Sequence, residues 1–428
     1  MSRLPLEGIK VIDHGIVYTG TAANTLLADM GAEVIRVESI GRFPAMTRGY
    51  RPRPAPGLEE YPGYVDGEPG DRPWDRWFQL HAMNRNKLGI TLELNRPEGI
   101  EVYHKLVRRG DVIIENFSQG TMERLGLGYE ALKGVKQDII MISASGLGKE
   151  GPYKGYSTFG TNLDAITGMT VLRGYPGSDL TARDLIPVWT DNVAASTVAF
   201  AALVALQYRE KTGKGQFIDL SQAEGFLPHM GETLMDYTMN GRTGEAIGNR
   251  DPSNAPQGCY RCRGEDRWVT ISVTSDEEWQ AFCRVLGNPP WTEDERFTDV
   301  LRRWANRDEM DRHIEQWTVQ HDPYEVMYIL QAAGVAAGPM LTPADEYSDP
   351  HLNERGFFQK VTHREAGTHR YPGMFFKYSK TPADIRIPPN CLGEHNDYVY
   401  GELLGMSREE ITRLSELGVI GTEYLEGV

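Results

Sequence analysis

Cysteine is scarce: four residues in 428, at Cys259, Cys262, Cys283 and Cys391. Four are too few for a disulfide framework and fit a reducing cytosol. Cys259 and Cys262 form a CxxC, but no second ligand pair follows at zinc-site spacing. The flanking residues 257–273 read as a β-hairpin, whose pleat sends residues three apart to opposite faces. No metal site is expected. Positive charge is also short, 45 Lys and Arg against 60 Asp and Glu, a formal charge of −15. A surface of that sign repels nucleic acid and anionic membranes, so neither is an expected partner, and any anion site rests on a few local cations. The opening Met1-Ser2-Arg3-Leu4-Pro5 lacks the regions of a signal peptide, and no apolar run is long enough to span a membrane. The nearest, Ala194 to Gln207, is broken by Ser196 and Thr197 and reads as a buried helix. A cytoplasmic location is expected.

What the chain does have is alternation. Ile9–Asp13 reads as a strand, Gly15 to Gly20 as a turn, Ala22 to Met30 as a helix and Ala32–Glu38 as a second strand, a βαβ unit predicting an α/β fold with a mostly parallel sheet. Glu38 ends its strand where a ribose-binding acid would sit, which invites a nicotinamide dehydrogenase reading. The glycines argue against it: the turn has only Gly15 and Gly20, with Tyr18 between them, and not GxGxxG. Further strands are predicted at Leu88–Leu94, Asp111–Glu115, Ile139–Ser143 and Gln216–Leu220, and helices at Pro97–Arg109, Ala194–Arg209 and Glu232–Met239. Residues 43–76 interrupt the pattern with seven prolines, five arginines and three tyrosines. Such a stretch makes neither a continuous helix nor a central strand, so it is a long loop, either a solvated excursion or a cover whose arginines face an anionic substrate. Ser407 to Glu410 reads as a capping box. The division expected is a large domain beginning at 1–225, a linker and small α+β domain at 226–345, and a return to the large domain at 346–428.

Asp191 lies in Ile186-Pro187-Val188-Trp189-Thr190-Asp191-Asn192, where a short apolar run meets a helix of small residues. An Asp at such a junction is most often a cap whose oxygens accept the free N–H groups of the first turn. The other reading is a nucleophile, kept ionised by the positive end of the helix and served by its free N–H groups as oxyanion donors.

Several motifs occur in order along the whole chain: Leu6-Glu7-Gly8-Ile9-Lys10-Val11-Ile12-Asp13, Leu26-Leu27-Ala28-Asp29-Met30-Gly31-Ala32-Glu33-Val34, Asn84-Arg85-Asn86-Lys87, Glu115-Asn116-Phe117, Lys211-Thr212-Gly213-Lys214-Gly215-Gln216 and Gly393-Glu394-His395. Together they resemble the family III CoA-transferases, which include the formyl-CoA and carnitine CoA-transferases. The resemblance implies a Rossmann-like large domain, a smaller α+β domain, and two ring-shaped chains threaded through each other as a homodimer or as a heteromer with a related subunit. It puts the catalytic aspartate at Asp191, with Asp164 as the competitor, and the CoA contacts at Tyr18, Asn84, Lys87, Asn116, Phe117 and Arg124. CoA and acyl-CoA are then substrates, with no permanently bound cofactor. The implied reaction moves CoA between carboxylic acids through an aspartyl anhydride and a β-aspartyl-CoA thioester. Succinyl-CoA is a plausible donor, and an aromatic or dicarboxylic acid such as an aryl-succinate a plausible acceptor. Two alternatives stand beside it: an α-methylacyl-CoA racemase, against which Phe159-Gly160-Thr161-Asn162 counts by lacking a histidine, and an inactive structural subunit. Asn254-Ala255-Pro256-Gln257-Gly258-Cys259 has one glycine where some members carry a glycine-rich lid.

Overall fold

The computed structural model of the protein describes residues 4–54, 63–178 and 188–428. Ile186 and Pro187 before Asp191, and part of the proline-rich stretch, lie outside the described residues. The chain forms two compact units, one of Met1–Gly168, Leu185–Met235 and Glu354–Val428, the other of Met169–Asp184 and Asp236–Asn353.

The first unit is built on six parallel strands: β1 (Lys10–His14), β2 (Glu33–Glu38), β3 (Lys87–Thr91), β4 (Val112–Glu115), β5 (Ile140–Ser143) and β6 (Phe217–Asp219). Their order is β3-β2-β1-β4-β5-β6. Among its helices are α1 (Thr19–Asp29), α2 (Pro97–Arg109), α3 (Gly160–Ile166), α4 (Trp189–Thr212) and α5 (Gln222–Phe226). The strands are short Val and Ile runs because both faces are covered. Ile12, Ile35, Ile113 and Met141 meet Val102, Tyr103 and Leu106 of α2 on one face. Val11, Val34, Val112 and Ile140 meet Ala23, Leu27 and Ala28 of α1 and Ala195, Val198 and Ala202 of α4 on the other. Each fully buried Val or Ile contributes about 1.5–3 kcal/mol. Small residues on both helices let α1 and α4 approach closely. That contact explains why α4, long and apolar enough to cross a bilayer, has a buried Ala and Val face inside this unit. α2 starts at Pro97, ends in Arg108 and Arg109, and stops at Gly110, the polarity its dipole favours.

The predicted capping box is present: Ser407 accepts from the Glu410 N–H, and Glu410 accepts from the Ser407 N–H. In the second unit β7 (Gln257–Arg261), β8 (Trp268–Ser272) and β9 (Ala336–Pro339) form an antiparallel sheet. Cys262 lies in that unit's core and Cys259 is half-buried; both are free thiols.

The arginine-rich loop is corrected by its ion pairs. Arg48 is fully buried and bonds Glu38 at 2.7 and 2.6 Å and Asp75 at 2.7 Å. It is therefore not a cation facing a substrate. Glu38, held by Arg48 and Arg36, is likewise not free for a ribose, and its carboxyl is pulled down to about 2: burial raises it, but the two guanidiniums outweigh that.

Three buried histidines are expected to make the fold acid-sensitive. Burial lowers His14 to about 4, His81 to about 3 and His363 to about 4. A histidine whose folded pKa is depressed takes up its proton more readily in the unfolded chain, so its contribution is complete above about pH 6.5 and is lost as pH falls toward 4. Thermal melts at pH 7.5 and pH 5 are expected to give the lower Tm at pH 5; an unchanged or higher Tm there would contradict these assignments.

Candidate functional site at the carboxyl ends of β1 and β4

Strand order reverses direction between β1 and β4, and in open parallel sheets ligands bind in the crevice beyond the carboxyl ends of such a pair. Two segments leave the sheet there: the turn Gly15–Tyr18 after β1, and Asn116-Phe117 after β4. Asn116 joins them, its amide donating to the Ile16 carbonyl at 3.0 Å and accepting from the Ile16 N–H at 2.8 Å. Gly20 makes room for it, since a Cβ there would stand 2.7 Å from Asn116 Oδ1. Asp13 Oδ1 accepts the Gly15 N–H at 2.6 Å, and Thr47 Oγ1 accepts the Val17 N–H at 2.9 Å. These bonds hold Val17 at φ 56°, a left-handed conformation that costs a β-branched residue of order 1–3 kcal/mol and persists only where its surroundings impose it.

The turn delivers Tyr18 and Thr19 to the start of α4. Tyr18 OH donates to Asn192 Oδ1 at 2.5 Å, and Thr19 Oγ1 donates to Asp191 Oδ1 at 2.6 Å. Thr19 Oγ1 also stands 3.2 Å from Gln222 Oε1, whose amide is anchored on the Ala144 carbonyl at 2.7 Å. The cap of α4 belongs to another residue. Asp164 accepts the N–H groups of Trp189 and Thr190 at 3.1 and 2.9 Å and the Thr190 hydroxyl at 2.5 Å. Asp191 therefore does not cap the helix. Asp164 is 2% exposed, and both of its oxygens are occupied by these bonds.

Asp191 is half-buried. Among the described residues no donor is bonded to its Oδ2, which faces the Cα of Gly160: a Cβ on that glycine would be 2.2 Å away. Burial raises the Asp191 pKa, the Thr19 hydrogen bond lowers it, and the charge of Asp164 raises it, with a net upward shift. A carboxylate whose pKa is shifted by its surroundings in this way is a candidate for chemistry.

The other sequence-assigned residues divide. Lys87 is fully buried and gives its ammonium to Asp13 at 3.0 Å, the Thr21 carbonyl at 2.8 Å and Asn84 Oδ1 at 3.3 Å. Asn84 is fully buried as well and donates to the Leu80 carbonyl. Both support the turn from inside through Asp13 and have no face for a phosphate. Phe117 is half-buried against the core beside His14. Arg124 is exposed and, among the described residues, bonds locally to Thr121 and the Gln119 carbonyl. Sequence reasoning missed Thr19, Gly160, Gln222 and the capping role of Asp164. No group of three or more potential metal ligands occurs among the described residues.

The family model for CoA-transferase family III matches residues 6–396. The chain belongs to that family. This CoA-transferase is similar to the succinyl-CoA:D-citramalate CoA-transferase of Chloroflexus aurantiacus, 32% identical over 97% of this chain and 98% of the relative. It is similar also to the alpha subunit of the succinyl-CoA:L-malate CoA-transferase of Chloroflexus aurantiacus, 30% identical over 98% of this chain and 93% of the relative. Among solved structures, a CAIB/BAIF family protein from Brucella suis superposes with a TM-score of 0.81 at 28% identity, covering 94% of this chain and 100% of that one. The transferase and its six-stranded parallel sheet thus agree with the sequence resemblance.

Proposed function

We propose that this CoA-transferase moves CoA from succinyl-CoA to a dicarboxylic acid, with Asp191 as the covalent nucleophile. The observation that carries the reading is the state of the Asp191 carboxylate: Oδ1 is held by Thr19, Oδ2 lies over a glycine with no bonded donor among the described residues, and the helix cap is supplied by Asp164. Holding the acyl group covalently on the enzyme keeps the energy of a thioester exchanged between two acids from being lost to water. Oδ2 attacks the donor carbonyl to give a mixed anhydride and CoA thiolate. The thiolate then forms a β-aspartyl thioester, and the acceptor carboxylate reverses both steps. Tyr18 lies beside the acyl group, and Arg124, Phe117 and Asn116 serve the nucleotide end of CoA. Lys87 and Asn84 act from behind the turn.

The dicarboxylic acceptor is favoured over an aromatic one because the relatives named above act on citramalate and malate with succinyl-CoA. The racemase reading has less support, because the segment Phe159-Gly160-Thr161-Asn162 holds no histidine to shuttle a proton. An intertwined dimer is supported by α4, which leaves Phe200, Val204 and Tyr208 exposed at four-residue spacing, an apolar stripe suited to a partner; the particle mass in solution checks it. The substrate reading is tested with succinyl-CoA and a panel of citramalate, malate, an aryl-succinate, formate and oxalate. Transfer to the branched or hydroxylated diacids is expected, at least tenfold faster in kcat/KM than to formate. Transfer to formate with none to citramalate, malate or the aryl-succinate contradicts the proposal.

A further inference from the structure

Building on the reading of Asp191 as nucleophile, the geometry points to Thr19 as a second catalytic residue, the donor that stabilises the oxyanion formed on the aspartyl side chain when CoA thiolate attacks it. In the first step Oδ2 adds to the acyl carbonyl carbon, the C–S bond breaks, and the electron pair leaves with sulfur. Charge in that step develops on the acyl oxygen, which Thr19 does not touch. In the second step the thiolate adds to Asp191 Cγ and the charge develops on Oδ1. Collapse breaks the Cγ–Oδ2 bond, and the donor acid departs as a carboxylate carrying Oδ2. No proton is gained or lost, so the chemistry asks for a hydrogen-bond donor at Oδ1 and for no acid or base.

Thr19 is that donor. It is 1% exposed, and its Oγ1 stands 2.6 Å from Oδ1 and 3.2 Å from Gln222 Oε1. Both neighbours are acceptors, because the Gln222 amide nitrogen is committed to the Ala144 carbonyl, so the hydroxyl hydrogen points at one of these two oxygens. A threonine inside a helix usually gives its hydroxyl to the carbonyl four residues back, as Thr25 does to Thr21. Thr19 opens α1 and is free of that competition. The turn that fixes it contains the strained Val17, so its orientation is set before substrate arrives. A donor fixed in advance and shielded from water is where charge stabilisation is strongest.

Thr19→Val preserves volume and removes the donor. Its kcat is expected to fall roughly 100-fold or more with KM little changed, while Thr19→Ser stays within about tenfold of wild type. Rapid-quench mass spectrometry after mixing with succinyl-CoA separates a chemical role from a structural one. Wild type is expected to carry chiefly the CoA adduct, and Thr19→Val chiefly the succinyl adduct, because only the second step is slowed. Should Thr19→Val not fold, Thr19→Ala carries the same expectation. An adduct ratio equal to that of wild type, or a Thr19→Ser enzyme as slow as Thr19→Val, overturns the proposal. Absence of either adduct from the wild-type peptide containing Asp191 overturns the nucleophile assignment and this proposal with it.

Discussion

Asp191→Asn and Asp191→Ala are expected to lower CoA transfer by roughly 10⁴-fold or more, the scale seen when a covalent nucleophile is removed. The fold is expected to survive, since Asp164 rather than Asp191 satisfies the first N–H groups of α4. Stability moves the other way from activity. The Asp191 carboxyl has its pKa raised by burial and by Asp164 against the Thr19 hydrogen bond, so the ionised form is disfavoured in the folded chain, and at neutral pH the charge destabilises it. Asp191→Asn is therefore expected to keep or raise Tm, the usual behaviour of a group retained for chemistry. Transfer rates and melts on the same preparations check both halves. An active Asp191→Ala enzyme would favour the reading of this chain as a structural subunit, and a collapsed Asp191→Asn would assign the residue to the fold.

Arg48→Met is expected to destabilise the first unit by about 3–5 kcal/mol, the cost of leaving buried charges uncompensated. Burial alone would lower the Arg48 pKa, but Glu38 and Asp75 raise it well above its ordinary value, so its loss leaves Glu38 to Arg36 and Asp75 to Arg72, each short of one buried partner. Tm is expected to drop by roughly 10 °C. Arg53→Met, in the same loop but exposed, is expected to stay within about 0.5 kcal/mol. Chemical denaturation of the two variants checks the contrast. If Arg48 instead gripped a substrate anion, Arg48→Met would raise KM and leave stability alone.

The sheet was legible because its strands are Val and Ile runs buried on both faces, and α2 because Pro97 and Gly110 mark its ends. α4 begins at Trp189, five residues before the predicted Ala194. Trp, Thr and Asp are weak helix formers, and the cap that overrides them comes from Asp164, 26 residues away from Thr190. Distance in sequence hid the rest of the site in the same way. Thr19 lies 172 residues from the carboxylate it holds, and nothing in the run Tyr18-Thr19-Gly20 announces that contact. The family resemblance put Lys87 among the CoA contacts; in the fold its ammonium is buried against Asp13, 74 residues earlier, a partner that no local pattern announces. Charged residues are where local pattern fails most, since burial of a charge is decided by a partner that only the fold supplies. Asp191 was singled out through the ordered motifs around it, and its separation from the capping role needed coordinates.

The most direct measurement is peptide mass spectrometry of the wild-type enzyme quenched after mixing with succinyl-CoA, with fragmentation to locate the modified side chain. A CoA or succinyl adduct on Asp191, absent from Asp191→Asn, is the expected result. An unmodified Asp191 with transfer proceeding, or an adduct on Asp164 or Cys259 instead, would contradict the account.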